Sequence, residues 1–399
     1  MSVGSLNQRR EQRSPVSKKV KQMPSSGLKK FFGLLASMKD VISLGIGEPD
    51  FITPWHIREA AIHSLEKGYT KYTSMPGMPE LRQELSRHLM ENYNLVYDSN
   101  TELLITVGVS EGLDLTMRTI LDPGDEVIMA DPGFVSYPAC VTLAGGVPIM
   151  VPTSQENDFE ISATDIEARV TGKTKAILIA SPANPTGAVL SRDKMLQIAE
   201  IAQQHNLLVI FDELYAKLVY GVEHTCLATL PEMKGRTILL SGFSKTYAMT
   251  GWRIGYAAAT EEIIAAMSRI HQYTVMCAPI MGQIAAIEAL KSGEVSSAEM
   301  VEEYNKRRLT IVKGLNDIGL SCFEPKGAFY AFPSIKVIGM TSEEFSEKLL
   351  LEEKVAVIPG IAFGQSGEGY VRCCYATSLA NIEEALSRMK RFVDKHRKT

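Results

Sequence analysis

Much of what would direct this chain of 399 residues elsewhere is missing from it. Its six cysteines, Cys140, Cys226, Cys277, Cys322, Cys373 and Cys374, form no C-x-x-C pair, so neither a metal site nor a redox disulfide is indicated and buried thiols are expected. No apolar run approaches the roughly 20 residues of a membrane-spanning helix, and the N-terminus lacks the apolar centre of a secretory signal. A cytoplasmic protein without membrane contact is the resulting expectation. Charge of one sign is scarce too. The 42 Lys and Arg against 46 Asp and Glu leave a formal charge of -4, which argues against a nucleic-acid partner and for small-molecule substrates. Repeats and low-complexity tracts are absent. Only the N-terminal arm is unbalanced, with Arg9, Arg10, Arg13, Lys18, Lys19, Lys21, Lys29 and Lys30 facing the single acid Glu11. A solvated arm is the plain reading, and membrane or RNA contact the sharper one.

What is present is alternation. Short β-branched runs trade places with amphipathic stretches, the pattern of a mainly parallel sheet covered by helices, and 45% apolar residues can fill a large core. "LLITVG" (103–108), "DEVIMA" (125–130), "AILIA" (176–180), "LLVIF" (207–211) and "TILLS" (237–241) read as buried strands, each ending in a polar or glycine-rich loop. Ligands in open α/β sheets bind at that carboxyl edge. Thr53 is placed to cap a helix that starts at Pro54, carries Ile57, Ala61 and Leu65 on one face and stops before Gly68. From about residue 285 the texture changes to longer charged helices with brief strands such as "AFYAFP" and "YVRCCYA". The expected division is an arm and part of the small domain at 1–45, a large domain at 46–284 and a small α+β domain at 285–399.

"SGFSKTYAMTGWRIGY" (241–256) places Lys245 just past a strand end, where a lysine serves a phosphate or a carbonyl. A nucleotide-binding P-loop needs glycines one and six places before its lysine, and those places hold Ser244 and Leu239. The alternative is a Schiff-base lysine for pyridoxal 5'-phosphate, which demands a carboxylate for the ring nitrogen, anion donors for the phosphate and donors for the ring hydroxyl. Asp212 ends the most apolar strand and needs a cationic partner. Gly108, Val109 and Ser110 form the turn into the helix that begins "SEGLDLTM", with Ser110 as N-cap and free N–H groups for an anion. Arg253 can add a permanent charge. The turn "SPANPTG" would hold Asn184 rigidly as a donor, and Tyr215 could reach the same oxygen.

With these residues assembled, the chain resembles the fold-type I pyridoxal-phosphate enzymes, specifically the class I/II aminotransferases. The resemblance runs from "VISLGIGEPDF" (41–51) to the C-terminal helix through "YTSMPGMPELR", "NPTG", "FDELY" and "GFSKTYAMTGWRIG". It implies a large domain with a mainly parallel seven-stranded sheet sandwiched by helices, plus a smaller α+β domain. It implies that Lys245 carries the cofactor and moves the proton, that Asp212 pairs with the pyridine nitrogen, and that Asn184 and Tyr215 meet the ring oxygen. Phe134 falls where the family stacks an aromatic ring on the cofactor. Tyr72 matches a tyrosine that reaches the neighbouring subunit's phosphate, which implies a homodimer with shared sites. Arg372, with Gly47 beside it, matches the clamp for the substrate α-carboxylate. Many relatives carry a serine three residues before the lysine; here that position is Gly242, and Ser244 or Ser241 would have to compensate.

The implied reaction is a ping-pong transfer of an amino group from an L-amino acid to a 2-oxo acid, 2-oxoglutarate being the expected acceptor, with no metal. The donor stays open between aspartate, aromatic and other amino acids. The same scaffold supports C–S lyases, and the opening segment also looks like N-acetyl-diaminopimelate aminotransferases. A ligand-sensing regulator is disfavoured, because about 40 polar residues before the match cannot form a DNA-binding domain with its own core.

Overall fold

The long apolar runs become the middle of one sheet. In the computed structural model, which describes residues 14–23 and 38–397, a short strand β1 (Ile42–Ser43) precedes β2 (Leu103–Thr106), β3 (Glu126–Asp131), β4 (Val147–Pro152), β5 (Thr174–Ala180), β6 (Leu208–Asp212), β7 (Thr237–Gly242) and β8 (Gly255–Ala258). The last seven form one sheet in the order β2-β8-β7-β6-β5-β3-β4. Only β8 runs against its neighbours, pairing antiparallel with β2 and β7. A parallel sheet is covered on both faces, so its strands read as unbroken apolar runs rather than alternating ones. Val209, Ile210 and Phe211 are accordingly buried, as are Ile238, Leu239 and Leu240.

The five strands expected from sequence are present, shifted by a residue or two at their ends. β4 and β8 were not anticipated. β4, "VPIMVP", carries prolines and leaves Val147 exposed at the sheet edge, and β8, "GYAA", is four small or glycine-led residues.

Helix starts are the main correction. The helix Trp55–Glu66 has Pro54 at its N-cap and no side-chain cap; Thr53 instead donates its hydroxyl to the Ala248 carbonyl at 2.6 Å and accepts from Trp252 Nε1 at 3.0 Å. Its inner face is Ile57, Ala61 and Ser64, while Leu65 is exposed. The stop at Gly68 stands, with φ +77°. The helix Gly108–Ile120 begins two residues earlier than expected, so Ser110 lies inside its first turn and Val107 occupies the cap.

Beyond the sheet lie the strands β9 (Tyr330–Ala331), β10 (Val355–Ala356), β11 (Ile358–Pro359) and β12 (Val371–Cys374); β9, β12 and Val355 of β10 pack in a second core, while Ala356 and Ile358 pack in a smaller cluster with Phe363. β11, β12 and β9 form an antiparallel sheet, while β10 pairs parallel with β1, Ile42 opposite Val355 and Ser43 opposite Ala356. The helix Leu379–His396 buries Ile382, Ala385, Met389, Phe392 and Val393, a three-four spacing that makes one apolar stripe. The expected border at 284/285 falls inside the helix Ile280–Ser292, whose Ala285, Ala286 and Ala289 pack in the large core. We propose Gly293, between that helix and Glu294–Asp317, as the border. Of the basic arm, Lys18, Lys19 and Lys21 lie on a short helix, Lys18–Gln22. Arg9, Arg10, Arg13, Lys29 and Lys30 lie outside the described residues. No helix among the described residues is long and apolar enough to cross a membrane.

Candidate active site

A cavity of about 540 Å³ opens at the carboxyl edge of the large sheet, between the two cores. Every one of the sequence-derived site residues except Tyr72 lines it: Gly47, Val109, Ser110, Phe134, Asn184, Asp212, Tyr215, Ser244, Lys245, Arg253 and Arg372. They come from sequence positions more than 300 apart, brought together because β2, β3, β5, β6 and β7 all end on this side.

Lys245 follows β7 by three residues. Its Nζ donates to the Gly47 carbonyl at 2.7 Å and sits between the rings of Phe329 and Tyr215, at 5.7 and 5.9 Å. Burial, above all, brings its pKa down to about 8; Arg372 and Arg253 push the same way, against Cys374 and Glu48. A lysine so placed is partly a free amine near neutral pH, which is the form that attacks a carbonyl. A side chain at Gly47 would meet the Tyr330 hydroxyl on the cavity wall.

Asp212 ends β6. One carboxylate oxygen accepts from the Tyr137 hydroxyl at 2.8 Å and the other from the Leu214 N–H at 3.1 Å. Burial above all, with Glu213 adding to it, pushes the carboxyl up, and the two hydrogen bonds only partly offset that rise. No cationic side chain pairs with it among the described residues. A half-buried carboxylate with only neutral partners suits a ligand that brings its own N–H cation.

An anion fits the other end. The helix Gly108–Ile120 points its first turn at the cavity, with Val109 and Ser110 on the wall and the N–H groups of that turn free of helical acceptors. Arg253 donates to the Thr250 carbonyl at 3.0 Å and lies over Gly108, where a Cβ would come within 2.5 Å of its Nη2. Ser244 lines the wall, whereas Ser241 faces the Glu213 carbonyl from the strand, so Ser244 is the serine available here. Gly242 has a steric reason: a Cβ would stand 3.0 Å from both Gly255 Cα and the Ile254 carbonyl.

On the small-domain side, Arg372 is buried. Its Nη1 donates to Asn184 Oδ1 at 2.9 Å and its Nη2 to the Gly45 carbonyl at 2.7 Å, while Nε has no partner. The guanidinium lies on the Tyr330 and Phe363 rings at 4.5 and 4.9 Å. A fixed guanidinium with an N–H to spare is a receptor for a carboxylate. Tyr215 donates to or accepts from the Tyr330 hydroxyl at 2.7 Å. Phe134 packs edge-on to Tyr137 at 5.5 Å. Tyr72 is 77% exposed and stands outside the cavity of this chain.

Sequence reasoning missed, among others, Tyr137, Tyr330, Ile46, Glu48, Ile358 and Phe363, which also line the wall. Tyr137 had a signal: it is three residues after Phe134, on the helix Ser136–Ala144 that follows β3. No group of three His, Cys, Asp or Glu among the described residues is placed to hold a metal ion.

A family model for aminotransferase class I and II matches residues 39–389. A Bacillus subtilis protein carrying an aminotransferase name, YugH, is 55% identical over 96% of this chain and 99% of its own. An aspartate aminotransferase of Pyrococcus abyssi is 47% identical over 92% of this chain and 95% of its own. The crystal structure of an aromatic aminotransferase from Pyrococcus horikoshii superposes with a TM-score of 0.88 at 44% identity, covering 92% of this chain and 99% of that one.

Proposed function

The chain belongs to the class I and II aminotransferases, and from that premise we propose that its cavity binds pyridoxal 5'-phosphate and moves an amino group from an L-amino acid to a 2-oxo acid. One observation carries the reading: a lysine brought down to about 8, a carboxylate without a cation and a buried guanidinium with a free N–H face one another across the same 540 Å³. The cofactor supplies, when bound, an electron sink for the charge that develops at the substrate α-carbon.

This chain's residues supply the rest. Lys245 Nζ would hold the cofactor covalently, and as a free amine it is the base placed to take the proton from the substrate α-carbon onto Nζ. Asp212 would pair with the protonated ring nitrogen, whose positive charge favours the ionised carboxyl, and the Tyr137 hydroxyl donates to its Oδ2. Asn184 and Tyr215 serve the ring oxygen, Phe134 covers the ring face, and Val109, Ser110, Ser244 and Arg253 hold the phosphate. Arg372 binds the α-carboxylate, and with Lys245 fixes which bond to the α-carbon breaks.

Among the described residues the wall has no cation for a second carboxylate beyond Lys245, Arg253 and Arg372, all committed to these tasks; Ile46, Ile358 and Phe363 add apolar surface, and besides Asp212 the one further charge on the wall is the acid Glu48. That favours an aromatic or other neutral donor over aspartate. The reading includes a homodimer and a cytoplasmic location. Exposed Ile52, Trp55, Tyr72 and Tyr273 support the dimer, since large apolar side chains left bare mark an interface, and Tyr72 would then serve the partner's phosphate. In a test with a panel of amino donors against 2-oxoglutarate, turnover should be present in the wild type and abolished in Lys245→Ala with the fold intact. Full activity in that variant would contradict the assignment.

A further inference from the structure

Arg372 enters the cavity from the hairpin β11–β12, in which it sits opposite Ile358. The hairpin loop, residues 360–370, runs back across the domain border and ends against the large sheet. There it meets Asp131, the last residue of β3, which is 4% exposed and does not line the cavity. Asp131 Oδ2 accepts from the Ser366 N–H at 3.2 Å and from the Ser366 hydroxyl at 3.1 Å. The neighbouring Gly133 N–H donates to the Phe363 carbonyl at 2.9 Å.

The contact is close as well as polar. Gly364 adopts φ +130° and ψ 170°, a conformation reserved almost entirely for glycine, and any side chain there would run into Asp131 Oδ1. That oxygen is buried with no hydrogen-bond partner. Burial pushes the Asp131 carboxyl up, and the donors of Ser366 and the Gln365 backbone hold it down. A carboxylate buried in this way costs folding energy, and nothing in the reaction as described touches it. What it does hold is the tip that carries Phe363, whose ring lies 4.9 Å from the Arg372 guanidinium.

We propose that Asp131 is a positioning residue: by docking the β11–β12 loop on the end of β3 it sets where Phe363 and Arg372 stand relative to Lys245, and with that the affinity for the substrate α-carboxylate. The inference rests on the reading that Arg372 binds that carboxylate. Small-domain clamp and large-domain lysine are joined in one chain but lie in different cores, and the docked loop is a direct polar tie between them at the cavity rim.

The test compares Asp131→Ala and Ser366→Ala holoenzymes, each alone and combined with Arg372→Lys. KM for the amino donor should rise about tenfold in Asp131→Ala, the scale of a lost charge-assisted hydrogen bond, with kcat within about twofold. Ser366→Ala should show a smaller rise and carries the kinetic test if Asp131→Ala does not fold. Neither should add its full effect to Arg372→Lys, since both act through that residue. An unchanged KM, or full additivity, would overturn the proposal. Hydrogen exchange on the cofactor-free protein reads the docking without turnover: exchange across residues 360–374 should quicken in the variants, and unaltered exchange there would also overturn it. A wild type inert toward every amino acid would sink the transamination reading, while the exchange result would still judge the docking.

Discussion

Tyr137 shows how a single neutral side chain can govern a charged one. Its hydroxyl is one of two donors that hold the Asp212 carboxyl down against burial. Tyr137→Phe should let that carboxyl rise and weaken its pairing with a ring N–H; with one hydrogen bond worth about 1 kcal/mol, kcat/KM should fall about fivefold, as steady-state kinetics would show. Lys245 makes the second residue-scale prediction. Its ammonium gives up the proton at about 8 rather than 10.5, so the free amine accumulates as pH rises through about 8. The rate at which the cofactor-free protein takes up pyridoxal phosphate should climb to that pH and level off above it. A rate still climbing at the ordinary lysine value would mean the amine is not held as described. At this scale the residues that gather at the cavity were largely legible: Lys245, Asp212 and Asn184 sit at or just past strand ends, whereas Arg372, inside β12, was reached by resemblance alone. Tyr137 and Tyr330 were not, because an aromatic inside a helix or a two-residue strand reads as core until the partner is seen.

Elements explain why some signals failed. Continuous apolar runs announced five strands, because a strand buried on both faces can be little else, whereas β4 and β8 are held by neighbours rather than by their own composition. Ser110 looked like a cap by its hydroxyl, yet the chain had already turned helical at Gly108, where φ is +70° and Arg253 leaves no room for a side chain. The serine missing at Gly242 follows from β7 and β8. Gly242 and Gly255 face each other across the antiparallel pair, and no side chain fits between them without displacing a backbone. Gly242→Ser should therefore destabilise the protein by about 1–3 kcal/mol, the usual cost of overpacking, seen as a lower denaturant midpoint. A neutral or stabilising result would mean that the two strands part easily.

At the scale of the whole molecule, two cores were legible from the change in texture near residue 285, although their border was blurred by a helix that belongs to the large core by packing alone. A partner subunit is expected by resemblance alone; Tyr72 is exposed and does not line its own chain's cavity. If Tyr72 serves the neighbour, Tyr72→Ala and Lys245→Ala should complement: mixed and reassociated, they form hybrids in which one site has both residues intact. Activity should then exceed that of either parent, and a mixture no better than its parents would place Tyr72 outside the site. The central claim is that Lys245 alone carries the cofactor. Reducing the pyridoxal-phosphate-loaded protein with borohydride and mapping the modified peptide by mass spectrometry tests it most directly. The account predicts the label on Lys245, in "SGFSKTYAMTGWRIGY", and its loss in Lys245→Ala; a label on another lysine, or none, would contradict it.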